Sequence, residues 1–227
     1  TGTVYFDLNC NNTFEATDQV APQMLLRSVA DNIPITSTND TGFYRIYFLP
    51  VTTTTYTIDV PTGFTPQPES YTITTAQNFP NKDFRLCPDS LFHNLKTTLT
   101  SVTVPRPGFT NQYQICVQNL GTQPENATLT LDFSIGNDPL YITIVDAAGG
   151  SVQNNVITWN ISNLQLFDSE CFTVTVQIAA NTPLGIYLQP KSNVSLSPLQ
   201  TETKYTDNSV ELRDQVVGSY DPNDKTV

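Results

Sequence analysis

Oxygen-bearing residues recur through the stretch Asp7-Leu8-Asn9-Cys10-Asn11-Asn12-Thr13-Phe14-Glu15-Ala16-Thr17-Asp18, at positions one, three, five, seven, nine and twelve counted from Asp7. A hard divalent cation takes roughly six to eight oxygen ligands, and a calcium loop of the EF-hand type supplies them at those positions. Asp7, Asn9 and Asn11 offer side-chain oxygens and Thr13 a backbone carbonyl. Glu15 offers a direct or water-mediated bond, and Asp18 the closing carboxylate. Asn12 stands where such loops usually carry glycine, and asparagine tolerates the left-handed backbone needed there. Asp18 is shorter than the usual bidentate glutamate, so the site is smaller or looser, or Glu15 takes the bidentate role. The alternative is an acidic, Asn-rich turn that binds nothing, in a chain rich in Asn, Asp and Thr.

Catalytic chemistry finds little to use. A nucleophilic triad needs a base beside the nucleophile, and His93 is the only histidine. In Leu91-Phe92-His93-Asn94 it reads as a surface or linker residue. No Gly-rich phosphate loop, His-Glu-x-x-His helix or Gly-x-Ser-x-Gly elbow occurs. Paired carboxylates for glycoside hydrolysis converge from distant strands and escape spacing arguments, but the single tryptophan, Trp159, argues against an aromatic cleft. The expectation is no catalytic residues and no enzyme.

Four cysteines suit two disulfides in an oxidising compartment, and no Cys-x-x-Cys pair suggests zinc. Three connectivities are open. A two-module division favours Cys10–Cys87 with Cys116–Cys171; free buried cysteines are the competing reading.

The elements that position these residues read as strands throughout. The first module, 1–88, carries candidate strands at Gly2–Asp7, Gln23–Ala30, Gly42–Leu49, Thr54–Val60, Ser70–Thr75 and Lys82–Leu86. Turn signals separate them at Asn39-Asp40-Thr41-Gly42, Pro61-Thr62-Gly63, Pro66-Gln67-Pro68 and Pro80-Asn81. The second module, 89–214, carries Lys96–Val104, Asn111–Asn119, Ala127–Ile135, Tyr141–Asp146, Val156–Ile161, Cys171–Ala179, Gly185–Leu196 and Ser209–Leu212. Trp159, on an alternating strand, reads as a core residue between two sheets. Residues 215–227 read as a linker to a following domain. Short strands with frequent turns predict an all-β chain of two tandem β-sandwich domains.

A formal charge of −11 leaves no basic surface for nucleic acid. No run approaches the ~18 apolar residues of a membrane helix, so membrane insertion is not expected. No signal peptide is visible, which reads as a mature or excised piece of a longer product.

Gly2-Thr3-Val4-Tyr5-Phe6-Asp7-Leu8-Asn9-Cys10-Asn11, with Thr41-Gly42-Phe43-Tyr44 and Asp83-Phe84-Arg85-Leu86-Cys87-Pro88, resembles a prealbumin-like β-sandwich. Such modules occur as the calcium-binding B-repeats of staphylococcal serine-aspartate surface proteins. Asn111-Gln112-Tyr113-Gln114-Ile115, Asn119-Leu120-Gly121-Thr122, Thr182-Pro183-Leu184-Gly185 and Thr206-Asp207-Asn208-Ser209 resemble an Ig-like repeat domain of unknown function from giant bacterial surface proteins. The closing Val217-Gly218-Ser219-Tyr220-Asp221-Pro222-Asn223-Asp224-Lys225-Thr226-Val227 is similar to segments of secreted Bacteroidota proteins that precede a type IX sorting domain.

These resemblances imply a secreted or cell-surface structural segment: an adhesin stalk, spacer or filament building block stabilised by calcium and disulfides. The alternative is a carbohydrate- or ligand-binding accessory module of an extracellular enzyme, with Tyr44, Tyr47, Tyr56 or Tyr71 as a stacking face. Expected partners are neighbouring domains of the same polypeptide, then surface glycans, host or substrate surfaces, or identical subunits.

Overall fold

The computed structural model describes residues 1–47, 53–74, 81–136 and 138–218. The chain divides into two compact units, Thr1–Leu91 and Phe92–Val227. The break falls three residues beyond the boundary expected after Pro88.

In the first unit the strands are β1 (Gly2–Phe6), β2 (Gln19–Val20), β3 (Leu25–Ser28), β4 (Pro34–Ser37), β5 (Phe43–Tyr44), β6 (Thr54–Ile58), β7 (Phe64–Gln67), β8 (Tyr71–Ile73) and β9 (Phe84–Pro88). One sheet runs β2-β1-β9-β7, with β5 also on β1; the other runs β4-β3-β6-β8. Strands β1 and β9 pair in parallel, Val4 opposite Phe84, so the first and last strands of the unit lie side by side. The sheets close on each other through Val4, Phe6, Leu26, Tyr56 and Phe84, all buried. Tyr56 on β6 meets Phe84 on β9 edge to face at 6.0 Å. Burying each such side chain contributes roughly 1.5–3 kcal/mol.

Two expectations change here. The expected Gly42–Leu49 strand is ordered as strand only at Phe43–Tyr44, and residues 48–52 lie outside the described ones. Pro66-Gln67, expected in a turn, belongs to β7. That strand is an edge pairing only with β9, so the missing N–H of Pro66 costs the ladder nothing on its open side.

The second unit contains β10 (Leu95–Ser101), β11 (Thr110–Asn119), β12 (Glu125–Asp132), the single helical turn α1 (Asp138–Tyr141), β13 (Ile142–Asp146), β14 (Ser151–Gln153), β15 (Val156–Leu164), β16 (Ser169–Ile178), β17 (Tyr187–Leu188), β18 (Lys191–Leu196), β19 (Ser209–Glu211) and β20 (Asp214–Gln215). Antiparallel sheets β10-β11-β16-β13 and β14-β15-β12-β18-β19 form an Ig-like β-sandwich, and β17 pairs β20. Alternation decides the faces. On β11, Tyr113, Ile115 and Val117 point inward and meet Leu129 and Leu131 of β12 in one core. Trp159 is buried there, stacked on Phe172 at 4.8 Å, with its indole N–H donating to the Ala148 carbonyl.

The expected strand Gly185–Leu196 is broken into β17 and β18. At the break the Gln189 N–H is taken by the Asp138 carboxylate, and Pro190 has no N–H to give. The segment expected to be linker from 215 starts inside the unit: Gln215 pairs in β20 and Val216 is buried in the core, while 219–227 lie outside the described residues.

Candidate metal centre

Strand β1 delivers Asp7 to the sheet edge, where its N–H donates to the Leu86 carbonyl of β9. Asp7 is 1 % exposed, and its two carboxylate oxygens accept the N–H groups of Asn11 at 3.1 Å and Asn12 at 2.9 Å. Asn9 Oδ1 accepts from the Asn11 N–H, and Asn11 Oδ1 from the Thr13 N–H. Asp18 closes the loop at both ends, accepting the Leu8 N–H on Oδ1 and the Glu15 N–H on Oδ2. The chain therefore wraps around Asp7, with left-handed backbone at Cys10 (φ 55°) and Asn12 (φ 69°).

Glu15 faces its own loop. Its Oε1 accepts from Asn9 Nδ2 at 2.5 Å, Asn11 Nδ2 at 3.0 Å and Thr17 Oγ1 at 3.2 Å. Among the described residues none of the three carboxylates forms an ion pair with a basic side chain. No three His, Cys, Asp or Glu side chains among them gather as a metal site by themselves. A cation here would thus depend on the oxygens of Asn9, Asn11 and Thr13 as well as on the carboxylates. The donor set fits that demand: every group is a hard oxygen, and rotating the two amides exchanges their Nδ2 for Oδ1.

Covalent bonds hold both units. Cys10 in the loop is joined to Cys87 at the end of β9, Cα atoms 5.5 Å apart, tying the candidate ligands to the sheet. Cys116 is joined to Cys171, directly opposite on β11 and β16, Cα atoms 4.1 Å apart. That bridge lies on the outward face of the sheet, since Cys116 alternates with inward Ile115 and Val117 and Cys171 is exposed.

The tyrosines do not assemble a stacking face. Tyr44 and Tyr56 are buried with their hydroxyls 3.3 Å apart, Tyr71 is half-buried and donates to the Asp83 carbonyl, and Tyr47 alone of the four is open, at 84 %. Burial pushes the ionisation of Tyr44, Tyr56 and Tyr71 upward.

His93 is not the surface residue expected. Its side chain is mostly covered, and Nδ1 lies 2.7 Å from Glu125 Oε1. Glu125 is buried at the start of β12, and Glu202, also buried, accepts from the Leu95 N–H and Asn208 Nδ2. Burial holds the Glu125 carboxyl above its ordinary range, against the lowering effect of its bond to His93. Between the ordinary carboxylate value and that raised one, the folded chain binds more protons than the unfolded chain, so this group's contribution to stability falls as pH rises. Glu125→Gln should therefore flatten the fall in melting temperature expected of the wild type as the pH rises above the ordinary carboxylate range. Parallel melting curves across that range would remove the assignment.

A second polar group surrounds Tyr113, involving Asp138 and Asp214. Desolvation pushes the Asp138 carboxyl up to about 7, opposed only by its bond from the Gln189 N–H. Sequence reasoning missed Glu125, Glu202, Asp138 and Asp214, because their partners come from other strands and no local spacing marks them.

Comparison with protein-family models found no match, and comparison with curated proteins found none either. Among solved structures, the chain is similar to a crystal structure of the CARDB domain of a Pyrococcus furiosus protein in complex with di-metal ions. Identity is 16 % and the TM-score 0.37, over 56 % of this chain and 90 % of that one. A solution NMR structure of the same CARDB domain gives 15 % identity and a TM-score of 0.36, over 56 % of this chain and 98 % of that one.

Proposed function

We propose that this chain is a non-catalytic structural segment of an exported protein, outside the cell or on its surface, serving as an adhesin stalk, spacer or filament building block. The observation that carries the reading is the covalent design: two β-sandwich units, each closed by its own disulfide. Disulfides of this kind persist in oxidising compartments. No helix among the described residues is long and apolar enough to cross a membrane, which leaves strand-built spans aside. The resemblance of the closing segment favours a Bacteroidota type IX cargo, and that of the first unit a prealbumin-like module.

Calcium is part of this reading. Asp7, Asn9, Asn11, Glu15 and Asp18 would hold it through side-chain oxygens and Thr13 through its carbonyl, and the ion would neutralise three carboxylates packed into one loop. Extracellular modules of this type bind at ~0.1–1 mM. At about ten times the dissociation constant the gain is ~1.4 kcal/mol. Calorimetric titration with calcium should give a binding event that Asp7→Ala removes, with the first unit's melting temperature rising in calcium only when Asp7 is present. Equal heats from both proteins, with no calcium-dependent shift, would sink the metal assignment and leave the structural reading to stand on the disulfides.

A further inference from the structure

The sulfur bridge of the second unit stands in the open. Cys116 and Cys171 face each other across β11 and β16 on the outward side of the sheet, with Cys171 exposed and Cys116 half-buried. The residues beside them on that face carry no charge: Gln114 and Gln118 along β11, Ser169 and Thr173 along β16, and Thr98 opposite Cys116 on β10. Ser169 Oγ lies 4.0 Å from Cys171 Sγ.

Attack on a disulfide is directional. A thiolate displaces one sulfur from the other along the line of their bond, so it must arrive from the side away from the leaving sulfur. The two sulfurs differ in what stands on that side. Behind Cys116 runs β10, whose Thr98 is its direct cross-strand neighbour, and such pairs hold their Cβ atoms about 4.5–5.5 Å apart. Behind Cys171 the ladder has stopped: β13, the strand on that side of β16, pairs with it only from Thr175 to Ile178. Cys171 is therefore the sulfur open to attack, and Cys116 the one that leaves.

The strands do not need the sulfur to stay paired. The register of β11 on β16 runs from Thr110 opposite Gln177 to Gln118 opposite Ser169, and on the inner face Ile115, Val117, Val174 and Val176 are fully buried. The bridge of the first unit is placed differently. Cys10 belongs to the loop that carries Asp7, Glu15 and Asp18, and their charge repels an anionic nucleophile.

We propose that Cys116–Cys171 is a thiol-exchange site, opened by a dithiol reductant in the folded chain while Cys10–Cys87 stays closed. In the first step the reductant's thiolate bonds to Cys171 Sγ, the bond between the cysteines breaks, and Cys116 leaves as a thiolate that takes up a proton. In the second the reductant's other thiol loses its proton and attacks the mixed disulfide. That closes the reductant's own disulfide and releases Cys171, which takes up a proton in turn. Two electrons pass from the reductant to the chain. The 55 peptide steps between the two cysteines then become free to extend, so the redox state of the surroundings sets how far the second unit can be drawn out. The chemistry rests neither on calcium nor on the proposed structural role.

The test is reduction of the full native chain with dithiothreitol, in chelator and without denaturant. Samples are quenched with iodoacetamide and mapped by mass spectrometry, while circular dichroism follows the fold. The expected result is alkylation of Cys116 and Cys171 about tenfold or more ahead of Cys10 and Cys87, with an unchanged spectrum and a rate indifferent to low urea. A pulse of glutathione quenched with N-ethylmaleimide should leave glutathione on Cys171 and maleimide on Cys116. Equal rates for the two bridges, a rate for the second that climbs with low urea as global opening does, or glutathione chiefly on Cys116 overturns the proposal.

Discussion

Replacing Cys10 and Cys87 together with serine lowers the stability of the first unit by about 4–5 kcal/mol, the chain-entropy expectation for a bridge of this span. The bridge joins residues 77 apart, so cutting it returns most of the unit's conformational freedom to the unfolded state. Its second effect is local. The loop around Asp7 is held by its own backbone amides and by the sulfur bond to β9, and its residues Asn9 to Thr17 are exposed, with little core to hold them. Calcium affinity should fall with the bridge, because the ion must then order the loop as well as bind it. Denaturant unfolding with and without calcium checks both claims. A loss below about 1 kcal/mol would show that the sandwich, not the sulfur, determines the stability of this unit.

Asn119→Ala is expected to cost the second unit about 3–5 kcal/mol, a sum of several buried groups left unpaired at roughly 1–3 kcal/mol each. Asn119 is completely buried at the end of β11. Its Nδ2 donates to the carbonyls of Gln123 and Leu164, and its Oδ1 accepts the Gly121 N–H. One side chain therefore satisfies three backbone groups of two loops. Gly121 is fixed by the same crowding: a Cβ there would sit 2.8 Å from the Phe92 carbonyl and 3.2 Å from Asn119 Oδ1. Thermal unfolding should show the second unit's transition lowered and the first unit's unmoved. Asn119→Asp should also destabilise, since the second oxygen would face two carbonyls. A loss within about 0.5 kcal/mol for Asn119→Ala would mean that water replaces the amide at no cost.

The long strands of the second unit were legible because their two faces differ. Asn111-Gln112-Tyr113-Gln114-Ile115 alternates by residue type, and the structure turns its odd-numbered members inward. The division into two units favoured the cysteine pairs over the other two connectivities, and the structure joins those pairs. The motif Asn119-Leu120-Gly121-Thr122 stood out in the sequence, but its reason did not: the buried amide's bond to the Leu164 carbonyl comes from 45 residues away and is invisible in local spacing. Strand β2 escaped notice because two residues carry no periodicity. Pro66 read as a turn because proline rarely enters a sheet, and only the position of β7 at an edge makes it acceptable. At the candidate loop the oxygen spacing was readable in full. The contact of Glu15 Oε1 with two asparagine amides was not, since side-chain rotation is settled by neighbours rather than by order along the chain.

The two sulfur bridges also fix how far the polypeptide can be drawn out. A bond between residues 10 and 87 withholds the 77 peptide steps between them, and the bond between 116 and 171 withholds another 55. At up to ~3.4 Å per residue, that is hidden contour of roughly 260 Å and 190 Å that a pull on the chain ends cannot release. A molecule unravelled at both sandwiches would lengthen by less than half of what its residue count allows, until a reductant frees the rest.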